Sequence, residues 1–136
     1  MPRHGVRIHK ILVVEDNLLF RAVLTESLHS RFRNIQVLEV GDGEKALREV
    51  ETFLPDLILM DIRLPGENGL QLTKQIKARY PQIRIVIVTS YDEPEYRAAA
   101  YRCKADHYIL KDTFLTLINS VSADELFPFA PVTPRA

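Results

Sequence analysis

The sequence predicts an α/β fold in which helices cover both faces of a five-stranded parallel sheet. Two short segments, residues 11–14 and 57–60, consist of large apolar residues without polar alternation, which is typical of strands buried on both faces. Segments with the apolar spacing of helices separate the strands, and strand and helix alternate five times along the chain. The 136 residues are enough for one domain of this kind.

Five segments have the composition of strands, and they cover residues 11–14, 35–40, 57–60, 83–88 and 106–110. The fourth is rich in β-branched residues, which favour strands, and the fifth is short. Pro65 and Gly66 follow the third strand and are predicted to stop it with a turn. For five strands joined by right-handed crossovers, the sequence favours the order 2-1-3-4-5.

The helix after the first strand is predicted to begin at Leu18, with Asn17 as its N-cap, and to end near Phe32. Its apolar positions keep helical spacing and are Phe20, Val23, Leu24 and Leu28. The turn Gly41-Asp42-Gly43 leads into the second helix. That helix has an apolar face at Ala46, Leu47 and Val50. Pro55 closes this unit.

The later helices are placed by their capping and stop signals. The third is predicted to begin after Gly69 and to end before Pro81. Asp92 is the predicted N-cap of the fourth, which has Pro94 in its first turn. The last helix is predicted to begin after residue 112 or 113, and Lys111 lies directly after the fifth strand.

One domain is predicted to cover residues 1–127, and residues 128–136 are predicted to form a Pro-rich tail or linker. The end of the last helix is left open, because Ser122 and Glu125 have the spacing of a capping box and can begin a separate turn. Prolines then recur at three positions of the tail and favour extended backbone.

Composition excludes several classes of function. The 18 basic and 18 acidic residues balance, so the chain lacks the basic surface of a nucleic-acid binder and no direct contact with nucleic acid is expected. No apolar run reaches the roughly 18 residues that span a bilayer, and the first ten residues lack the apolar core of a secretory signal. A single cysteine, Cys103, excludes an intramolecular disulfide. We therefore expect a cytoplasmic domain without membrane contact.

Carboxylates follow two strands that the predicted order places side by side. Glu15 and Asp16 follow the first strand, and Asp61 follows the third. Because the carboxyl ends of parallel strands meet at one edge of the sheet, these three acids should converge there. Clustered carboxylates repel one another, so they either raise a pKa or hold a cation. Oxygen ligands without histidine or cysteine nearby in sequence favour Mg²⁺.

Two further side chains at the same edge suit a phosphate group. Lys111 follows the fifth strand and offers an ammonium group for phosphate oxygens. Thr89 follows the fourth strand and offers a hydroxyl donor. A carboxylate nucleophile, a divalent metal, a lysine and a hydroxyl together make a site for phosphoryl transfer to an aspartate. Asp61 is the predicted acceptor.

Four segments carry these residues in recognisable motifs, and they are Val14-Glu15-Asp16-Asn17, residues 55–69, Val88-Thr89-Ser90 and Tyr108-Ile109-Leu110-Lys111. Together they resemble the receiver domain of bacterial two-component response regulators, over about residues 10–111. The resemblance implies the CheY-like form of the flavodoxin-like fold. Asp112, where many receivers have proline, resembles the subfamily that carries LuxR-type helix-turn-helix output domains.

The resemblance also implies a partner and a set of metal ligands. A sensor histidine kinase or a phosphotransfer protein would donate the phosphoryl group to Asp61. Mg²⁺ would be ligated by Asp16, Asp61 and the backbone carbonyl of Arg63, with Glu15 acting through water. The chain would then be a signalling phosphoacceptor that assists its own phosphorylation and dephosphorylation, not an enzyme.

A conformational switch is a further implication of the resemblance. Thr89 and Tyr108 are expected to respond together when Asp61 is phosphorylated, with Tyr108 drawn inward. The surface around the fourth helix and fifth strand would change, and a partner or a second copy in a homodimer would dock there. Arg63 and Tyr91 are bulky and are expected near the mouth of the site, where they would restrict water and slow the loss of the phosphoryl group.

Two other functions fit the sequence less well. An aspartate-nucleophile phosphatase is disfavoured because Asp61-Ile62-Arg63 has no second acid two residues after the acceptor, and no glycine-rich phosphate loop follows the first strand. A receiver-like interaction module that is never phosphorylated is disfavoured because Lys111 and Thr89 accompany an intact acidic set. Lys104 and His107 replace glycines that receivers often have, which leaves open the path of the chain into the fifth strand.

Overall fold

A parallel sheet of five strands forms the centre of the computed structural model, which describes residues 9–120 of the chain. The strands, including a two-stranded hairpin outside the main sheet, are β1 (His9–Val14), β2 (Ile35–Val40), β3 (Leu57–Met60), β4 (Arg63–Leu64), β5 (Glu67–Asn68), β6 (Arg84–Thr89) and β7 (His107–Leu110). The helices are α1 (Leu18–Arg31), α2 (Gly43–Phe53), α3 (Gly69–Arg79), α4 (Pro94–Arg102) and α5 (Lys111–Ser120). The predicted end of the last helix and the predicted boundary between residues 127 and 128 lie outside the described residues.

The strands of the main sheet follow the order β2-β1-β3-β6-β7, and neighbouring strands are parallel. This confirms the predicted order 2-1-3-4-5, because β6 and β7 are the fourth and fifth strands of that sheet. Val14 lies opposite both Val40 and Met60, so β1, β2 and β3 end at the same level. The residues that follow these strands therefore begin at one edge of the sheet.

Alternate residues of the central strands enter cores on opposite faces of the sheet. In β1, Leu12 and Val14 belong to the core covered by α2, α3 and α4, whereas Ile11 and Val13 belong to the core covered by α1 and α5. Burial on both faces explains why the strands are apolar without alternation. The prediction of helices on both faces is confirmed. Among the helices in residues 9–120, none has the length and apolar character needed to cross a membrane.

Side-chain caps begin the first three helices. Asn17 is the N-cap of α1, as predicted, and its side-chain oxygen accepts a hydrogen bond from the N–H of Phe20 at 2.9 Å. Asp42 and Asn68 cap α2 and α3 in the same way. Val23, one of the apolar positions with helical spacing, is 40% exposed and lies outside the buried face of α1. The buried stripe of α1 is narrower than the apolar spacing suggested.

The starts of the last two helices differ from the predictions. α4 begins at Pro94 with Glu93 in the N-cap position, so the prediction of Asp92 as N-cap is wrong. Asp92 instead forms an ion pair with Arg97, with 3.6 Å between the charged atoms. Proline at the first helical position already has the φ that a helix start needs. α5 begins at Lys111, earlier than predicted, so this lysine is the first residue of a helix.

The sequence did not predict the hairpin of β4 and β5. Each of these strands has two residues, which is too few for a periodic pattern. Gly66 in the turn has a φ of +67°, a left-handed conformation that glycine adopts without strain. The hairpin leads the chain from the end of β3 to the start of α3.

Lys104 has an unusual backbone conformation after the C-terminal end of α4. Its φ is +75°, in the left-handed region. The N–H groups of Lys104 and Ala105 bond to the carbonyls of Tyr101 and Ala100, which is the pattern of a Schellman motif. The residue after the helix end is usually glycine in this motif. The chain therefore follows the path that glycine would take, although the residue is lysine.

We expect Lys104→Gly to raise the free energy of unfolding by about 0.5 to 1 kcal/mol. Left-handed strain in a residue with a Cβ is worth roughly 1 to 2 kcal/mol, and the greater freedom of glycine in the unfolded chain offsets part of the gain. Urea unfolding followed by circular dichroism measures the change. Lys104→Ala is the matched control, because it removes the same charge and keeps the Cβ. An equal gain in both variants would show that the charge, not the backbone, is responsible.

Candidate functional site

An acidic cleft opens at the C-terminal edge of the sheet. Glu15, Asp16 and Asp61 each offer one carboxylate oxygen, and these atoms lie within 4.8 Å of one another. Two backbone bonds bring the acids together: the N–H of Glu15 donates to the carbonyl of Val40, and the N–H of Asp61 donates to the carbonyl of Val14, both at 3.0 Å. The strand ladder thus continues one residue beyond β1 and β3 and holds both acids at the same level.

Asp61 lines this cleft and is 7% exposed. Its Oδ1 accepts a hydrogen bond from the N–H of Ile62 at 2.8 Å, and its Oδ2 lies 3.3 Å from Nζ of Lys111. Gly69 packs directly against the backbone of Asp61, because a Cβ at position 69 would lie 1.9 Å from the carbonyl oxygen of Asp61. Only glycine therefore fits at position 69. The carboxylate of Asp61 is itself held through both oxygens, by the N–H of Ile62 and the ammonium of Lys111.

Glu15 is almost fully buried, and both of its carboxylate oxygens are engaged. Oε1 lies 2.9 Å from Nζ of Lys111, and Oε2 accepts a hydrogen bond from the N–H of Asn17 at 2.9 Å. Burial raises the pKa of the Glu15 carboxyl. Burial alone would lower the pKa of Lys111, but its hydrogen bond to Glu15 and the charge of Asp61 outweigh burial and raise that pKa. Lys111 is therefore charged at neutral pH and offsets both acids.

Asp16 differs from the other two acids because it is exposed in the cleft. Within residues 9–120, no hydrogen bond or ion pair engages its carboxylate. A hydrated carboxylate of this kind is available to a cation, whereas Glu15 is shared with Lys111 and Asn17. Three oxygen donors without nitrogen or sulfur are the ligand type that a hard divalent cation such as Mg²⁺ prefers. The donor set therefore fits this metal.

Arg63 and Tyr91 meet at the mouth of the cleft, which both residues line. The guanidinium of Arg63 lies over the ring of Tyr91, with 5.1 Å between the guanidinium carbon and the ring centroid. Tyr91 also packs against Tyr96, with ring centroids 5.1 Å apart. The sequence placed Arg63 and Tyr91 near the mouth, but it did not show that their side chains contact each other.

Thr89 and Tyr108, the predicted switch residues, both bond to the backbone of Tyr91. Thr89 is fully buried, and its Oγ1 accepts a hydrogen bond from the N–H of Tyr91 at 3.3 Å. The hydroxyl of Tyr108 donates to the carbonyl of Tyr91 at 2.5 Å. Thr89 lies below the surface of the cleft, which the next residue, Ser90, lines. The backbone of Tyr91 thus connects the two residues.

Tyr108 already has its ring inside the protein, with 4% of the residue exposed. The guanidinium of Arg97 covers this ring at 4.6 Å and also donates to the carbonyl of Tyr108 at 3.1 Å. Burial raises the pKa of the Tyr108 hydroxyl to about 12. The expectation that phosphorylation draws Tyr108 inward assumes a ring that starts outside. In this structure the ring of Tyr108 lies inside.

Sequence reasoning missed one aromatic contact inside the cluster. The ring of Phe20 lies under the ammonium of Lys111, with 4.6 Å between Nζ and the ring centroid. The helical spacing of α1 identified Phe20 only as an apolar position. The position of Phe20 one turn after the acidic loop indicates that it lies near the site. No local pattern in the sequence relates Phe20 to Lys111, which is far away in the chain.

The chain matches a known protein family over most of its length. Residues 11–121 match the response regulator receiver domain. The transcriptional regulatory protein DegU of Brevibacillus brevis is 32% identical over 103 residues, which cover 76% of this chain and 44% of DegU. The chain spans half or less of the length of these curated relatives. These relatives include response regulators of the LuxR/NarL family.

Solved receiver domains have the same fold. The signal receiver domain of the response regulator NarL from Mycobacterium tuberculosis has a TM-score of 0.77 at 29% identity, covering 83% of this chain and 91% of that chain. The phosphorylated cyanobacterial phytochrome response regulator RcpA has a TM-score of 0.78 at 26% identity, covering 95% and 99%. The chain therefore belongs to the response regulator receiver domains, the phosphoacceptor domains of two-component signalling.

Proposed function

We propose that Asp61 is the phosphoacceptor of this receiver domain and that the donor is a phosphohistidine of a sensor histidine kinase or phosphotransfer protein in the cytoplasm. The observation that carries the proposal is the geometry of Asp61, which lines the cleft with Oδ1 bonded to the N–H of Ile62 and Oδ2 facing the ammonium of Lys111. In the transfer, one oxygen of Asp61 bonds to phosphorus, and the bond from phosphorus to the histidine nitrogen breaks with its electron pair left on nitrogen.

Mg²⁺ is the proposed cofactor, held by the carboxylates of Asp16 and Asp61 and by the backbone carbonyl of Arg63, with Glu15 acting through water. The oxygen-only donor set of the cluster supports this assignment. When bound, the cation offsets the charges of the acceptor and the incoming phosphoryl group. Asp16 offers its carboxylate to that ion without giving up another partner within residues 9–120, and Asp61 keeps its bond to Ile62 through the other oxygen.

Lys111 and Thr89 are the proposed contacts of the phosphoryl group. The ammonium of Lys111 already lies 3.3 Å from Oδ2 of Asp61 and can pass to a phosphoryl oxygen as the carboxylate becomes an acyl phosphate. The hydroxyl of Thr89 accepts a bond from Tyr91, so its own proton is available to the phosphoryl group. The inward position of Tyr108 is the arrangement that phosphorylation is proposed to favour.

The output is proposed to involve the surface formed by α4 and β7, where a partner or a second copy of the phosphorylated chain would dock. Tyr108 in β7 and Arg97 on α4 contact each other there. A movement of one side chain would therefore displace the other. The relative DegU is named a transcriptional regulatory protein, and regulation of transcription is proposed for this chain through a further domain. Direct nucleic-acid contact by residues 1–136 is not expected from a net charge of zero.

We expect Asp61→Asn to abolish phosphorylation by acetyl phosphate while leaving the fold intact, because the amide cannot act as the nucleophile. Phosphorylation of the wild type should require Mg²⁺ and stop when a chelator is added. Mass spectrometry measures the phosphoryl adduct, and circular dichroism checks the fold. Asp112→Asn, beside Lys111 but outside the acidic cluster, is the matched control and should be phosphorylated like the wild type. An adduct that persists in Asp61→Asn would refute the assignment.

The two remaining acids should differ in their importance for metal binding. We expect Asp16→Asn to weaken Mg²⁺ affinity by at least about tenfold, because a direct charged ligand is lost. Glu15→Gln should weaken it only about two- to threefold, because Glu15 acts through water and is already bonded to Lys111. Isothermal titration calorimetry of both variants measures the two affinities. Equal losses, or a larger loss in Glu15→Gln, would show that the ligand order is wrong.

The contact of Arg63 with Tyr91 should prolong the life of the phosphorylated state. We expect the double variant Arg63→Asn, Tyr91→Glu to lose its phosphoryl group about two- to fivefold faster than the wild type, because smaller polar side chains admit water and a cation–π contact of this strength is lost. Radiolabelled protein freed from donor gives the rate of loss. Tyr96→Leu is the control for packing behind Tyr91. If the double variant loses phosphoryl at the wild-type rate or more slowly, these residues do not restrict water.

A further inference from the structure

Within residues 9–120, the ammonium of Lys111 has three partners, and one of them, the ring of Phe20, carries no charge. Nζ lies 2.9 Å from Glu15 and 3.3 Å from Asp61, and the centroid of the Phe20 ring lies 4.6 Å away. Phe20 stands in the first turn of α1 and is half-buried beside the core shared by α1 and α5. Its ring is therefore anchored by the fold independently of the two carboxylates.

Lys111 needs such anchoring because of its position in the chain. It is the first residue of α5, where the partial positive charge of a helix N-terminus disfavours a cation. Its flexible side chain would reach solvent if nothing held it over the cleft. Glu15 and Asp61 provide strong attraction, but both are groups that the proposed transfer chemistry itself engages.

Both carboxylates change their interactions during the proposed transfer. Asp61 becomes an acyl phosphate, and the charge of Glu15 is shared with a cation. The aromatic face of Phe20 neither ligates metal nor reacts, so its attraction for the ammonium is the same before and after transfer. A contact that persists in both states can guide the ammonium from the carboxylate to a phosphoryl oxygen.

We infer that Phe20 is a positioning residue, whose aromatic ring holds the ammonium of Lys111 over the acidic cleft while its carboxylate partners are engaged in phosphoryl transfer. This inference rests on the proposed role of Asp61 as acceptor. Phe20 does not belong to the residues that line the cleft, whereas Lys111 does, so Phe20 acts through Lys111. A purely structural ring would stabilise α1 without any dependence of its effect on Lys111.

The rate of phosphorylation by acetyl phosphate at saturating Mg²⁺ tests the inference. Phe20→Leu, which keeps an apolar side chain and removes the aromatic face, should slow the reaction about three- to tenfold. Phe20→Tyr keeps that face and should react like the wild type. Phe53→Leu is the matched control, because Phe53 makes the same kind of contact with Lys10, at 5.6 Å, away from the cleft. It should leave the rate unchanged.

A double-mutant cycle separates positioning from structure. In a Lys111→Met background, which reacts slowly, adding Phe20→Leu should cause no further loss. A loss in this background as large as in the wild-type background would overturn the inference, and so would a wild-type rate in Phe20→Leu. Thermal unfolding of each variant identifies any that is not folded at the assay temperature.

Magnetic resonance of the unphosphorylated protein gives a second readout that does not depend on Asp61. The methylene protons next to Nζ of Lys111 should be shielded by the ring of Phe20 in the wild type and in Phe20→Tyr, and the shielding should be lost in Phe20→Leu. Absence of shielding in the wild type would overturn the inference even if no variant were made. If the wild type shows shielding but Asp61 accepts no phosphate, the contact stands and the proposed function fails.

Discussion

The ion pairs of Lys111 with Glu15 and Asp61 hold together a cluster of acids that would otherwise repel itself. Three carboxylate oxygens within 4.8 Å of one another destabilise a fold unless cations offset them. One ammonium, 2.9 Å and 3.3 Å from two of the acids, provides part of that compensation. The third acid, Asp16, is left exposed. The single ammonium leaves the cluster of three acids with a net negative charge, which is what a divalent cation would bind.

The cluster of acids depends on the segments after β1 and β3 reaching one edge of the sheet in register. Val14 lies opposite Val40 and Met60, so the acids after β1 and β3 begin at the same level. The close packing of Gly69 against Asp61, which leaves no room for a Cβ, fixes the loop that carries this proposed acceptor. The position of Asp61 is thus set by backbone contacts, which substitutions of surface side chains do not disturb.

The sequence predicted the parts of this structure that depend on pattern, and it missed those that depend on contacts between distant segments. Apolar runs without alternation identified the two central strands, β1 and β3, and the predicted sheet order then brought Glu15 and Asp61 together. The predicted N-cap of α4 was wrong although Asp92 has a side chain suited to capping. The helix begins at Pro94 instead, and Asp92 pairs with Arg97. The contacts of Phe20 and Tyr91 with their cations join different elements, and no local pattern encodes such packing.

Tyr91 links the mouth of the cleft to Thr89 and Tyr108, the two predicted switch residues. Its side chain lies under Arg63, whereas its backbone accepts the hydroxyl of Tyr108 and donates to Thr89. A movement of Thr89 toward a phosphoryl group would shift the same backbone and with it the ring at the mouth. If Asp61 is the acceptor and Thr89 and Tyr108 are the switch, access of water to the phosphoryl group and the state of the switch would therefore be coupled through Tyr91. A substitution at Tyr91 would then change both the lifetime of the phosphorylated state and the switch.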